Sequence, residues 1–193
     1  MAHELETDRL ILRQWKSEDY PDYARLNADP DVMQYFPAVL SVQESDAQAA
    51  RITQLIAERG WGFWAVELKA TGQFIGFVGL HSQDEQSGIP NAPFIEIGWR
   101  LAKEYWGKGY APEAANKALQ FAFEELMVPS IYAFTALPNL PSRKVMEKIG
   151  MTNIGQDFNH PKLPTGHHLE RHCLYQITRE TWLKSHVKAD FLA

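Results

Sequence analysis

The chain has 193 residues, 45% hydrophobic and 12% aromatic, a composition that supports one globular domain with a proper core. Its formal net charge is −5 and its pI about 5.8, so no electrostatic footprint for nucleic acid is expected. A single cysteine, Cys173, excludes an intramolecular disulfide framework and a cysteine-based zinc site.

The opening residues lack the basic-then-apolar layout of a signal peptide, and no apolar run approaches the ~20 residues of a membrane helix. A cytoplasmic protein without membrane partners is the expectation. Arg9 to Trp15 alternates as a first strand. Ser17, before Glu18 and Asp19, reads as the N-cap of a helix to about Asn27. Asp29-Pro30 predicts a second short helix through Met33 and Tyr35, ended by Pro37. The spacing of Ala49, Ile52, Leu55 and Ile56 predicts a longer helix between Ser41 and Arg59, stopped by Gly60. Trp61 to Leu68 and Phe74 to Leu80 form a predicted hairpin around Ala70-Thr71-Gly72-Gln73, and Gln83 to Ala92 a loop.

Phe94 to Leu101 then reads as a largely buried strand, followed by the glycine turn Glu104-Tyr105-Trp106-Gly107-Lys108-Gly109. Pro112 and Glu113 suit a first helical turn, and Ala115, Ala118, Leu119, Ala122, Phe123 and Leu126 continue the helix. Strand, glycine turn and helix start together make an anion site, because unpaired backbone N–H groups and the helix dipole converge there. Further strands are predicted at Ile131 to Thr135, Met151 to Phe158 and Glu170 to Ile177. Helices are predicted from about Ser142 to Ile149 and from Arg179 to His186, and His160 to Gly166 is a loop. Runs of adjacent strands point to antiparallel pairing, and the strand–helix–strand around Phe94–Thr135 to a parallel or splayed pair. The result is a single mixed-sheet α/β domain spanning residues 1–193, with a core of about 7–178.

The turn is neither the phosphate loop of nucleoside triphosphatases nor a dinucleotide fingerprint on a first strand. The stretch Trp106-Gly107-Lys108-Gly109-Tyr110-Ala111-x-Glu113-Ala114 closely resembles motif A of the GNAT superfamily of acetyl-CoA-dependent N-acetyltransferases. Asn139-x-x-Ser142-x-x-x-x-Glu147-Lys148-x-Gly150-Met151 resembles that superfamily's second signature. Thr7-Asp8-Arg9-Leu10-x-Leu12-Arg13 resembles the opening of the branch containing the ribosomal-protein N-terminal (alanine/serine) acetyltransferases. The resemblance runs from about Thr7 to Tyr175. It implies a GNAT-like, mostly antiparallel sheet with a central splayed strand–helix cofactor site and flanking helices.

For the cofactor, the resemblance implies that coenzyme A lies along backbone groups near Trp99, Arg100 and Leu101. Its pyrophosphate sits on the N–H groups of Trp106, Gly107, Lys108, Gly109, Tyr110 and Ala111, and Asn139 positions it. Gly107 and Gly109 leave no Cβ between backbone and phosphate. Lys108 either adds charge or is simply solvated. For the chemistry, Glu96 is the implied base, acting through water, with a structural acid as its alternative role. Burial between Ile95 and Ile97 would raise its pKa. A backbone N–H near Leu101 is the implied oxyanion donor. Many members carry a tyrosine acid at the position of Met146, which has no proton to give. Ser142 is the implied substitute, with helix N-capping as its other role.

His81 and His172 are alternative bases. His160, His167, His168 and His172 crowd one region, but without companion cysteines no metal is expected. Met33, Tyr35, Phe36 and Trp61 to Trp64, with Phe158 to His168 opposite, are expected around the acceptor. The implied reaction is direct acetyl transfer from acetyl-CoA to a primary amine in a ternary complex. A protein or peptide N-terminus is the first acceptor class and a small amine (amino acid, polyamine or aminoglycoside-like) the second. A non-catalytic acyl-CoA-binding module is the competing class, and a homodimer is a candidate assembly.

Overall fold

In the first strands, apolar side chains that alternate in sequence are turned to one buried face. The computed structural model describes residues 1–190. The chain divides into two compact units, Met1–His81 with Ile97–Ala118, and Ser82–Glu96 with the chain from Leu119 onward.

In the first unit, β1 (Leu5–Glu6) pairs antiparallel with β2 (Leu10–Arg13), which pairs with β3 (Phe63–Leu68) in the register Leu10↔Leu68 and Leu12↔Val66. β3 and β4 (Phe74–Gln83) form the expected hairpin. Leu10, Leu12, Trp64 and Val66 are wholly buried, as are Tyr23 of α1 (Asp19–Asn27) and Ala49 and Ile56 of α2 (Val42–Arg59). α2 is held at its start by a reciprocal capping box. The Ser41 side chain accepts from Glu44 N at 3.1 Å, and the Glu44 carboxylate accepts from Ser41 N at 2.8 Å.

Several boundaries differ from the sequence expectation. The first main strand is shorter than Arg9 to Trp15, because Gln14 folds its side chain back onto Trp15 N and Arg13 turns to Asp19. The cap of α1 is Glu18 and not Ser17, and Asp19 caps the turn by accepting from Lys16 N at 2.8 Å. Asp29 to Tyr35 forms successive turns and no helix; Asp29 bonds Asp31 N with its own side chain, an alternative to helix propagation.

In the second unit, β6 (Ser130–Ala136) and β9 (Arg171–Thr178) are zipped antiparallel from Ser130↔Thr178 to Ala136↔His172. The predicted strand Met151 to Phe158 is instead two short ones, β7 (Thr152–Asn153) and β8 (Phe158–Asn159), both on β9. Asn153 explains the break, since its side chain accepts from Gly155 N at 2.9 Å in a turn. α4 (Leu140–Lys148) and α5 (Arg179–Asp190) complete the helices, with α3 (Tyr110–Glu124) following the central strand β5 (Phe94–Leu101).

The strand order is β1-β2-β3-β4-β5-β6-β9-β7, with β8 on β9. The pairs β1–β2, β2–β3, β3–β4, β6–β9, β7–β9 and β8–β9 are antiparallel, whereas β5 and β6 are parallel through the register pair Glu96↔Tyr132. A one-pair ladder beside the seven-pair ladder of β6 with β9 is a splayed contact. The fold is thus a mixed, mostly antiparallel α/β sheet with flanking helices. Among the described residues no helix is long and apolar enough to cross a membrane.

Candidate active site

The segment between β5 and α3 is built to leave donors open. A short 3-10 turn, Lys103–Tyr105, delivers the chain to Trp106, whose N–H bonds Lys103 O at 3.1 Å. The next backbone bond is Glu113 N to Gly109 O at 3.1 Å, the first of α3. Between them the N–H groups of Gly107, Lys108, Gly109, Tyr110 and Ala111 have no acceptor among the described residues. Gly107 and Gly109 sit at φ +71° and +79°, which side-chain-bearing residues rarely adopt, and a Cβ on Gly107 would point into open space. Five consecutive donors at a helix start fit an anionic pyrophosphate, and the position a Cβ on Gly109 would take is 3.4 Å from Arg9 Nη2. Lys108 carries its ammonium over the Tyr105 ring, 5.6 Å from the centroid.

Glu113 fixes where this helix begins. Its carboxylate accepts from Thr7 Oγ1 (2.6 Å), Arg9 N (3.0 Å) and Arg9 Nε (2.7 Å), and Arg9 also lies over the Tyr110 ring at 4.4 Å. Burial pushes the Glu113 pKa up. The bonds from Thr7 and Arg9 and the charge of Arg9 outweigh it and hold it below the usual carboxylate range. Two stretches far apart in sequence, Thr7 to Arg9 and the glycine turn, therefore form one assembly in the first unit.

On β5, Ala102 N bonds Ile75 O at 3.0 Å, so its backbone and that of Arg100 turn toward β4. Alternation directs the backbone groups of Trp99 and Leu101 to the other edge, where Leu101 O accepts from the Trp106 indole at 2.9 Å. The Arg100 side chain goes to Tyr23, Asn27 and Gln48. Of the residues expected around the acceptor, Trp64 is wholly buried core and bonds His3 O, while Phe36 is exposed and stacks on Arg100. His81 stacks on Phe63 with ring centroids 5.6 Å apart.

The second unit holds Glu96, Asn139, Ser142 and the candidate histidines His160, His167, His168 and His172. Burial pushes the Glu96 carboxyl up to about 7, against the opposing pull of a Gln83 hydrogen bond and the Lys162 charge. Gln83 and Lys162 carried no signal of their own in sequence. Asn139, not Ser142, caps α4: its Oδ1 accepts from Ser142 N at 3.3 Å, and its Nδ2 bonds Thr135 Oγ1 at 2.8 Å. Asparagine at the cap with Pro141 in the first turn places Ser142 inside the helix, which removes the capping role expected for it. The Ser142 hydroxyl has no partner among the described residues.

His160 and His172 lie with ring centroids 4.8 Å apart, flanked by Phe134 and Phe158. Burial first, then His172 and Lys162, lower the His160 pKa to about 4, and burial also lowers that of His172. Near neutral pH His160 is therefore uncharged. Cys173 is buried, its thiol directed at Thr135 O at 3.6 Å, and burial raises its pKa, the opposite of an activated nucleophile.

A mixed sheet with a splayed central strand and an open-donor glycine turn at the start of the following helix are features of an acyl-CoA-dependent transferase. The family model described as an acetyltransferase (GNAT) domain matches residues 9–152, and the chain belongs to that family of acetyl-CoA-dependent N-acetyltransferases. Among its relatives is the FsC-acetyl coenzyme A-N(2)-transacetylase of Aspergillus fumigatus, 30% identical over 185 residues that cover 93% of this chain and 78% of that protein. A putative ribosomal N-acetyltransferase of Bacillus subtilis is 35% identical over 85 residues, 44% of each chain. The crystal structure of a GNAT-family acetyltransferase from Bacillus anthracis is similar at a TM-score of 0.76 and 27% identity, covering 92% of this chain and 99% of that one.

Proposed function

We propose that this chain moves an acetyl group from acetyl-CoA directly to a primary amine, without an acetyl-enzyme intermediate. The observation that carries the reading is the run of open N–H donors from Gly107 to Ala111 at the start of α3. These donors, with backbone groups of Trp99 and Leu101, would hold coenzyme A, and the positioning role of Asn139 rests on its motif resemblance alone. Bound there, acetyl-CoA supplies the activated thioester carbonyl.

The protein's own groups manage the protons. Glu96, ionised above about pH 7, accepts a proton from the acceptor ammonium, either directly or through one water. Ser142, whose hydroxyl is not engaged, holds the proton that the departing thiolate requires. The backbone N–H near Leu101 donates to the oxygen on which charge develops. His160 and His172 serve as walls of the acceptor side rather than as bases, because burial keeps them neutral and weakly basic. The burial of Cys173, the only cysteine, and its raised pKa support direct transfer.

For the acceptor, the opening signature favours a peptide or protein N-terminus. The longer of the two alignments favours instead an amine of the kind named for the Aspergillus relative. The test is thiol release from acetyl-CoA against an amine panel, with N-acetyl product identified by mass spectrometry. Amine-dependent release with no acetyl label on the protein is expected. Tight coenzyme A binding without turnover on any amine would make the chain a binding module instead.

A further inference from the structure

Arg100 is held in a way that the acetyl-transfer reading does not use. Asn27, wholly buried on α1, donates its Nδ2 to Ser45 Oγ at 2.9 Å, which turns Oδ1 toward Arg100. Arg100 Nη1 donates to Asn27 Oδ1 (2.8 Å), Gln48 Oε1 (3.1 Å) and Tyr23 Oη (3.3 Å). Tyr23 in turn donates to Gln48, closing the network. One corner of the guanidinium thus meets three neutral oxygens.

The opposite edge meets none. Among the described residues neither Nε nor Nη2 has a hydrogen-bond partner, and Nε is sealed from solvent. Nor does any carboxylate there lie within ion-pair distance of Arg100. The rings of Phe36 and Phe77 lie 4.4 and 5.4 Å from the guanidinium carbon. Arginine remains charged in such surroundings, and a buried N–H without an acceptor is costly. Nε–H and Nη2–H point the same way, at the spacing of the two oxygens of a carboxylate.

We infer that Arg100 is a carboxylate-binding residue and that the acetyl acceptor is an amine bearing a carboxylate, an amino acid or a related amino carboxylate. This rests on the acetyl-transfer reading and narrows its substrate class. The network of Tyr23, Asn27 and Gln48 aims the guanidinium, and the Nε/Nη2 fork grips both carboxylate oxygens once ligand entry opens the cover over Nε. A phosphate of the cofactor could be gripped by the same fork, so the two anion sources are separated in the test.

Amino acids and their amides form matched acceptor pairs that differ in the carboxylate. The full chain should acetylate the acids with kcat/KM roughly 10- to 100-fold above the amides. Arg100→Lys keeps a charge but loses the fork. It should bring acids and amides to within about threefold of each other with the KM for acetyl-CoA unchanged. Equal use of acids and amides by the wild type would overturn the inference. A rise in the KM for acetyl-CoA in place of the acid KM would assign the fork to the cofactor and overturn it as well.

Gln48→Met, which removes one aiming oxygen and keeps the fork, should raise the acid KM alone; it provides the measurement if Arg100→Lys does not fold. N-acetyl-L-alanine and its amide, titrated into wild type and Arg100→Lys by calorimetry, read carboxylate binding without turnover. If no amine is acetylated but the acid binds and the variant loses that binding, the carboxylate site stands and the transferase reading falls. If the acid binds no better than the amide, the carboxylate site falls.

Discussion

A strand carboxylate can serve as a base near neutrality only if its surroundings raise its pKa while an amine can still reach it. Glu96 meets the first condition through burial, which lifts it to about 7 despite Gln83 and Lys162. In the proposed reaction its ionised form is the active one, so kcat/KM should fall as pH drops below about 7. Glu96→Gln should lower kcat/KM at pH 8 by roughly 10²- to 10³-fold and abolish that acid limb. A retained limb in the variant would hand the base role to another group. The burial was readable from Ile95 and Ile97. Its size was not, because Gln83 ends β4 and Lys162 lies in a distant segment, and no local pattern encodes their proximity to Glu96.

The strand–turn–α3 element was the most legible part of the chain, since its residues follow local rules: glycines at positive φ, Pro112 and Glu113 in the first turn, apolar residues at helical spacing. α2 was legible for the same reason, through Ser41, Glu44 and Gly60. Where side chains compete with the backbone, reading failed. Asp29 broke a predicted helix, Asn153 split a predicted strand, and Asn139 took the cap expected of Ser142. The Glu113 anchor was read only as a charge at a helix start, because Thr7 and Arg9 are over a hundred positions away. A substitution pair isolates what the turn does. Gly72 and Gly107 both sit at φ +71° with open space where a Cβ would go. Alanine at either should cost about 1 kcal/mol in urea unfolding. Only Gly107→Ala should also weaken coenzyme A binding, by roughly tenfold or more in calorimetry. Equal affinities in the two variants would remove the turn from the cofactor site.

For the molecule as a whole, Glu96 and His160 pull stability in opposite directions over the same pH range. Glu96 titrates near 4.5 when unfolded and about 7 when folded, so between those values the folded state holds the extra proton and stability falls as pH rises. His160 titrates near 6.5 when unfolded and about 4 when folded, so there the unfolded state holds the proton and stability rises with pH. His172, also lowered by burial, adds to the second slope. Each full proton is worth at most about 1.4 kcal/mol per pH unit, and solvent screening reduces this for the half-buried histidine. The slopes largely cancel in the wild type between pH 4.5 and 6.5. Below that range the lowered carboxyls of Glu67 and Glu113 lose their stabilising contribution as they protonate, and stability drops. Each slope can be exposed by removing the other. Glu96→Gln should make the urea midpoint fall steadily as pH is lowered from 6.5 to 4.5. His160→Phe, which suits the Phe134 and Phe158 surroundings, should make it rise over the same interval. Three parallel midpoint–pH curves, displaced but equal in slope, would show that neither group carries a proton difference between the folded and unfolded chain.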